Sequence, residues 1–453
     1  MTYIKNKDSI LSHGNKQLRK DAIALIEQSL TDCDPYIQVK KLVSIDKNLL
    51  KVGELQFNMD EIANVYVLGA GKASYPIVKA LDDILGEKIT KGVVTLKYGQ
   101  EADGLKHIKA NFANHPTPDV AGVKASEEIM EIAKKTKERD IVFCGITGGS
   151  TSLMPMPVDG ITIDELTATY DILLKCGANI VEMNAVRKKL CKIKGGRLAK
   201  NIHKKAEIIN LTVSDVIGDM LDYITCPTVP DTSTLDDARN TFTKYSLWDR
   251  VPPSVAAFLR NATEQDETPK DLSDHTIHNF ILVKGDAPCI SAKNKAEELG
   301  YNAMILSTML EGESKEVGGL FAAIGKEVLA ANRPIARPCV IIGGGETTVK
   351  ITGKASGSGG PNQEFALAGA TWIDGGDDIL IAGIDTDGTD GHSDLAGGVV
   401  DNWTMSLARE KNINVFEALN KFDTSPILRD LQDAIHTGAT GTNVNDLKLM
   451  IIK

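Results

Sequence analysis

The 453-residue chain, 42% hydrophobic, is long enough to bury two sizeable cores. Its formal net charge of −10 and pI near 5.4 work against nucleic acid or an anionic membrane as the principal partner. Seven cysteines spread from Cys33 to Cys339, without a C-x-x-C pair or a His cluster, fit neither a disulfide framework nor a zinc site; with no apolar leader and no eighteen-residue apolar window, they point to a cytoplasmic protein.

Along the chain, short apolar runs alternate with longer amphipathic ones, the pattern of parallel strands joined by crossover helices, so the class is α/β. Strands are expected at 65–68, 92–96, 141–146 and 207–212, with helices such as 121–137 and 163–175 between them. Residues 262–275, ATEQDETPKDLSDH, are charged and nearly free of large apolar side chains, and read as a solvated interdomain connection. The alternation resumes with strands at 280–284, 304–307, 339–342 and 379–382, which give a second sheet. The expected domains are therefore 1–265 and 275–453. Ligands of open parallel sheets collect beyond the carboxyl ends of the strands, so the residues just after each strand carry most weight. A cleft between two such sheets is the natural place for a two-substrate reaction.

Six constellations stand out, most of them just after a strand. In VLGAGKAS a strand runs into Gly69 and Gly71, then Lys72, then a helix beginning near Pro76; glycines let an anion approach the backbone and Lys72 offers a point charge, although strand–helix packing explains the glycines equally well. GITGGSTS, with Gly149 and Ser150, can cradle a carboxylate or phosphate through amides and hydroxyls, or simply cap a helix. Residues 184–205 hold nine Lys or Arg and no acid; Asn184, Arg187, Lys194 and Arg197 are the candidates for function, and Lys200, Lys204 and Lys205 for a solvated face. In LTVSDVIGD a strand delivers Asp215 to the sheet edge, where a carboxylate holds a metal, takes a proton or caps a turn. Glu346 in IIGGGETT and Asn362 in SGSGGPNQE can meet a nucleotide phosphate or a hydrated metal, or mark turn geometry. Finally, residues 374–394 hold seven aspartates and no Lys or Arg; Asp385, Asp387 and Asp390 follow a strand directly, and hard carboxylate oxygens suit Mg²⁺. A cationic half and a carboxylate-rich half together describe phosphoryl transfer better than redox chemistry.

These segments resemble the type 2 glycerate kinases, whose C-terminal part is called MOFRL. The resemblance is nearly full-length and rests on GAGKAS (69–74), HPTPD (115–119), TGGSTS (147–152), NAVRKKL (184–190), KGGRLA (194–199), SDVIGD (214–219), CPTVPD (226–231), GGGETT (343–348), NQE (362–364), TDGTDG (386–391) and GATGTNVNDL (438–447). It implies a larger Rossmann-like N-terminal domain, a smaller α/β C-terminal one, and ATP with Mg²⁺ as donor. It also implies Lys72, Asp215 and Asp387 as chemical residues, the two aspartates as metal candidates, and Ser150, Asn184, Arg187, Glu346, Asn362 and Asn443 as supporting contacts. The reaction implied is phosphorylation of a small hydroxy-acid, foremost D-glycerate to 2-phosphoglycerate, by a chain with small-molecule partners that leaves homo-oligomerisation open. Two rivals are an NAD(P)H-dependent hydroxypyruvate reductase, for which the third small residue of a dinucleotide turn is missing at Pro76, and a non-catalytic hydroxy-acid or nucleotide sensor. The sequence departs from the family pattern Gly-Arg-Asn-Gln-Glu at Pro361, which has no guanidinium to bind an anion, and carries Thr147 for Ser and Cys226 for Gly. Another cation, such as Lys354, is expected to replace the missing charge.

Overall fold

The computed structural model describes residues 2–100, 102–216, 218–224, 226–351, 357–375 and 378–453. The chain forms two compact units, but not as the two contiguous stretches expected. One unit is Pro35–Ser214 with Asp219–Leu282; the other gathers Met1–Asp34, Asp215–Gly218 and Val283–Lys453.

The first unit is Rossmann-like. Its sheet contains β1 (Val65–Ala70), β2 (Lys91–Lys97), β3 (Ile108–Ala113), β4 (Ile141–Ile146), β5 (Glu207–Val213) and β6 (Thr276–Val283), in the spatial order β3-β2-β1-β4-β5-β6. Strands β1–β5 pair in parallel. Every residue of β1 and β4 is buried, since parallel strands are covered on both faces; this is why they appear in the sequence as unbroken apolar runs. Strand order reverses between β1 and β4, the switch point at which doubly wound sheets bind ligands. A small antiparallel sheet of Val43–Asp46, Leu49–Val52 and Leu55–Asn58 precedes β1.

Residues 262–275 include many exposed positions, as expected, but do not connect the two units. They lead into β6, which belongs to this sheet rather than opening a second one. One of their charges, Glu267, serves the interior: Lys189 Nζ, fully buried, lies 2.7 Å from Glu267, Asp231 and Thr268 Oγ1, and Lys188 lies 2.7 Å from Asp222 and Asp231. Burial alone would raise the Asp231 carboxyl, yet Lys188 and Lys189 hold it well below the usual range. Two lysines of the basic run are thus core residues whose cost of burial is offset by Asp222, Asp231 and, from the presumed linker, Glu267.

The C-terminal unit has a mixed sheet of β7 (Asn302–Leu310), β8 (Cys339–Gly345), β9 (Ile379–Asp385), β10 (Gly397–Asp401), β11 (Ala434–Ile435) and β12 (Asp446–Ile452), ordered β7-β8-β12-β9-β10-β11. Only β7–β8 is parallel, whereas β12, buried along its length, inserts antiparallel to both β8 and β9. The N-terminal helix Lys16–Asp32 belongs here because its Leu18, Ala22, Leu25 and Ile26 join the core beneath β8, β9 and β12. Arg19 fixes it: the fully buried guanidinium donates from Nε to Asp401 and from Nη1 to Asp433, both at 2.7 Å. No helix among the described residues is long and apolar enough to cross a membrane.

Candidate active site

In the Rossmann-like unit the loops after β1 and β4 interlock at the switch point. Lys72 N donates to Gly148 O at 2.8 Å, and Ala73 N donates to Thr147 Oγ1 at 3.1 Å. Gly71, at φ 138°, is required because a Cβ there would lie 2.7 Å from the Thr147 carbonyl oxygen. Gly69 has the plainer role, since a Cβ would press on Val78 and Val94 at 3.0 Å between strand and helix. At Gly149, in the left-handed region, a Cβ would meet both the Lys72 side chain and His115 Nε2 at 3.1 Å. Lys72, Gly149 and His115 therefore form one wall, with Ser150 buried in the following turn.

That wall opens on a pocket of about 290 Å³ whose lining includes His115, Gly149, Ser152, Tyr170, Leu174 and Arg187. The Arg187 guanidinium lies over the Tyr170 ring, 5.2 Å from its centroid. Burial pulls the pKa of Arg187 down, and the buried Nε has no acceptor among the described residues. The Tyr170 hydroxyl and Lys194 Nζ, both buried, are in the same state. Asn184 stands 3.5 Å from Arg187 Nη1. Arg197, by contrast, is spent on the carbonyls of Lys188 at 2.9 Å and Cys191 at 2.6 Å, which corrects its candidacy for ligand binding.

The C-terminal unit collects the acids. Register places Gly345 and Asp385 on either side of Asp446, so the ends of β8 and β9 and the start of β12 share one sheet edge. Asp387 N donates to Asp385 Oδ1 at 2.9 Å, and Asp387 Oδ1 accepts from Thr389 Oγ1 at 2.7 Å. Burial, then the charges of Asp387 and Asp446, pushes the Asp385 carboxyl well above the usual range. Glu346 is exposed at the same edge. Asp215 Oδ2 accepts from Asn443 Nδ2 at 2.9 Å, joining two candidates 228 positions apart.

Asn362 and Asp390 are placed differently. The Asp390 carboxylate accepts from the amides of Asn362 at 3.0 Å and Gln363 at 2.9 Å, and so caps the helix Pro361–Trp372 from outside its sequence. Asn362 Nδ2 reaches Asp446 at 2.7 Å, and burial lifts Asp390 to about 6. Both side chains are interior, and seat the helix. Pro361 occupies the first turn, where its missing N–H is no loss; Lys354 lies outside the described residues. His115, Tyr170, Asp446 and Glu364 went unselected in the sequence. The first and third lie within HPTPD and NVNDL; Tyr170 looks like an ordinary core position of an amphipathic helix.

Among the described residues no three or more His, Cys, Asp or Glu side chains group to hold a metal ion. Mg²⁺ asks for less, because one or two carboxylates together with substrate phosphates suffice, and Asp387 beside Asp385 is a donor set of that hard-oxygen kind.

Two family models match the chain: a domain of unknown function, DUF4147, over residues 21–260, and the MOFRL family over 339–446. A glycerate 2-kinase of Pyrococcus horikoshii is 39% identical over 439 residues, 96% of this chain and 97% of that one. A protein of Agrobacterium vitis, provisionally named hydroxypyruvate reductase, is 36% identical over 85% of this chain and 98% of its own. The crystal structure of a glycerate kinase from Thermotoga maritima superposes with a TM-score of 0.84 at 35% identity, covering 97% of this chain and 100% of that one. On these matches the chain belongs to the glycerate 2-kinase family.

Proposed function

We propose that this chain transfers the γ-phosphoryl group of ATP to the 2-hydroxyl of D-glycerate, giving 2-phosphoglycerate and ADP. The observation that carries this reading is the wall of Lys72, Gly149 and His115 at the switch point, opening on a pocket lined by the largely buried guanidinium of Arg187. Phosphoryl transfer depends chiefly on positioning and on neutralising charge. Lys72 offsets charge on the transferring group, and Arg187 receives the substrate carboxylate. Asp215, oriented by Asn443, accepts the hydroxyl proton as the oxygen attacks phosphorus and the bond to the β-phosphate oxygen breaks. Asp387, with Asp385, would hold Mg²⁺, which supplies neutralisation of phosphate charge. A cytoplasmic setting with small-molecule partners only goes with this reading, and the net charge of −10 supports it.

The test is purified protein with Mg-ATP and D-glycerate, following ADP, with NADH and hydroxypyruvate run in parallel. Magnesium-dependent ADP formation without NADH oxidation is expected. Robust NADH turnover overturns the kinase reading.

A further inference from the structure

Two residues that line the pocket at the switch point, Tyr170 and Arg187, each keep a buried polar atom without a partner among the described residues, and Lys194, outside the lining, keeps a third. Tyr170 Oη, Arg187 Nε and Lys194 Nζ are all buried and without partners among the described residues. A guanidinium and an ammonium can only donate, and a phenol in their company does best as a third donor. Tyr170 lines the pocket and carries Arg187 on its ring face. The acid among the lining residues, Asp171, is exposed at the rim. A buried donor left unmade is costly, and a cluster of them selects a ligand rich in acceptors and negative in charge.

We infer that Tyr170 is a specificity-determining residue: its hydroxyl donates to the carboxylate of the substrate while its ring holds Arg187 in place to do the same. The ligand class that follows is a small α-hydroxy carboxylate. A neutral polyol such as glycerol leaves the cations uncompensated, an amino acid brings an ammonium against them, and about 290 Å³ is small by the standard of pockets for larger ligands. This rests on the kinase reading only for the identity of the acid, since binding is measurable without turnover.

The experiment compares wild type, Tyr170→Phe and Tyr170→Leu for KM of D-glycerate, KM of ATP, calorimetric binding of D-glycerate without ATP, and thermal melting. In Tyr170→Phe the ring contact persists and the hydroxyl is lost. KM and Kd for D-glycerate are expected to rise about fivefold while KM for ATP stays within twofold. Because that hydroxyl has no internal partner, Tyr170→Phe melts at or above the wild-type temperature, an outcome a structural role for the hydroxyl would not produce. Tyr170→Leu, which also removes the seat of Arg187, weakens D-glycerate binding tenfold or more. Unchanged D-glycerate affinity in both variants, or an equal rise in KM for ATP, overturns the inference. D-glycerate binding that Tyr170→Leu abolishes supports it even if wild type makes no ADP, a result that would sink the kinase reading alone.

Discussion

In the Rossmann-like unit the buried groups without partners include three donors, Tyr170, Arg187 and Lys194, whereas in the C-terminal unit Glu364 has both carboxyl oxygens in that condition and Asp385 and Asp390 are held above the usual carboxylate range. Both units are α/β, so the contrast does not come from architecture. It comes from which residues each unit leaves unsatisfied after folding. The lysines in the first unit that serve stability, Lys188 and Lys189, are saturated with carboxylates, and the arginine that ties the N-terminal helix to the second, Arg19, holds two. Lys188, Lys189 and Arg19 each meet carboxylates, whereas Arg187 Nε, Lys194 Nζ and the Glu364 carboxyl oxygens meet no partner among the described residues.

The largest expected effect tests the paired side of that contrast. Arg19→Ala leaves Asp401 and Asp433 buried without their cation and should destabilise the C-terminal unit by about 3–5 kcal/mol, measured by denaturant unfolding. A loss below 1 kcal/mol would show that the helix is held by apolar packing alone. At the candidate site, Lys72→Ala and Asp387→Asn should each lower kcat by roughly a hundredfold or more with the fold intact. Near-normal rates in both would mean that the wrong charges were chosen.

Glu364 sharpens the comparison through pH. Burial, reinforced by Glu313, lifts its carboxyl from the ordinary 4.5 to about 7. Between those values the unfolded chain has released a proton that the folded chain still binds, so stability falls as pH rises from 4.5 to about 7 and levels off above. Glu364→Gln should remove that slope, gaining about 1–3 kcal/mol over wild type at pH 8 and nothing at pH 4. Parallel stability curves for the two proteins would contradict this. The smallest effect is expected at Pro361. Position 361 sits in a helix first turn that tolerates either residue, and the Rossmann-like unit retains unpaired cations, so Pro361→Arg should change kcat/KM for D-glycerate by less than tenfold. A tenfold gain would mean that the missing guanidinium has no replacement.

How much was legible follows from how local each signal is. Strand β4 and the loops carrying Gly71, Lys72 and Gly149 could be read directly, because a parallel strand is a continuous apolar run and its ligand loop follows at once. The direction of β12 could not: its partners β8 and β9 lie far back in the chain, and nothing in DLKLMII encodes an antiparallel insertion between them. Residues 262–275 were misread because charge was equated with solvent, when Glu267 was the counter-ion of a buried lysine. The same equation hid Lys188 and Lys189 in a basic run, and Tyr170 escaped notice because its use depends on Arg187 one helix later.

The central position of β12 also orders events during synthesis. The C-terminal sheet needs a strand ending at Ile452 between β8 and β9, and its core needs the helix Lys16–Asp32, made more than 400 residues earlier. The Rossmann-like sheet is complete once Val283 has emerged. At about 5–20 residues per second, that first helix waits on the order of ten seconds or more after the Rossmann-like unit can close, with its apolar face uncovered. A ribosome-bound chain stalled before β12 should therefore be folded in its middle and exposed at its start, an interval in which chaperones would find the N-terminus rather than the nascent end.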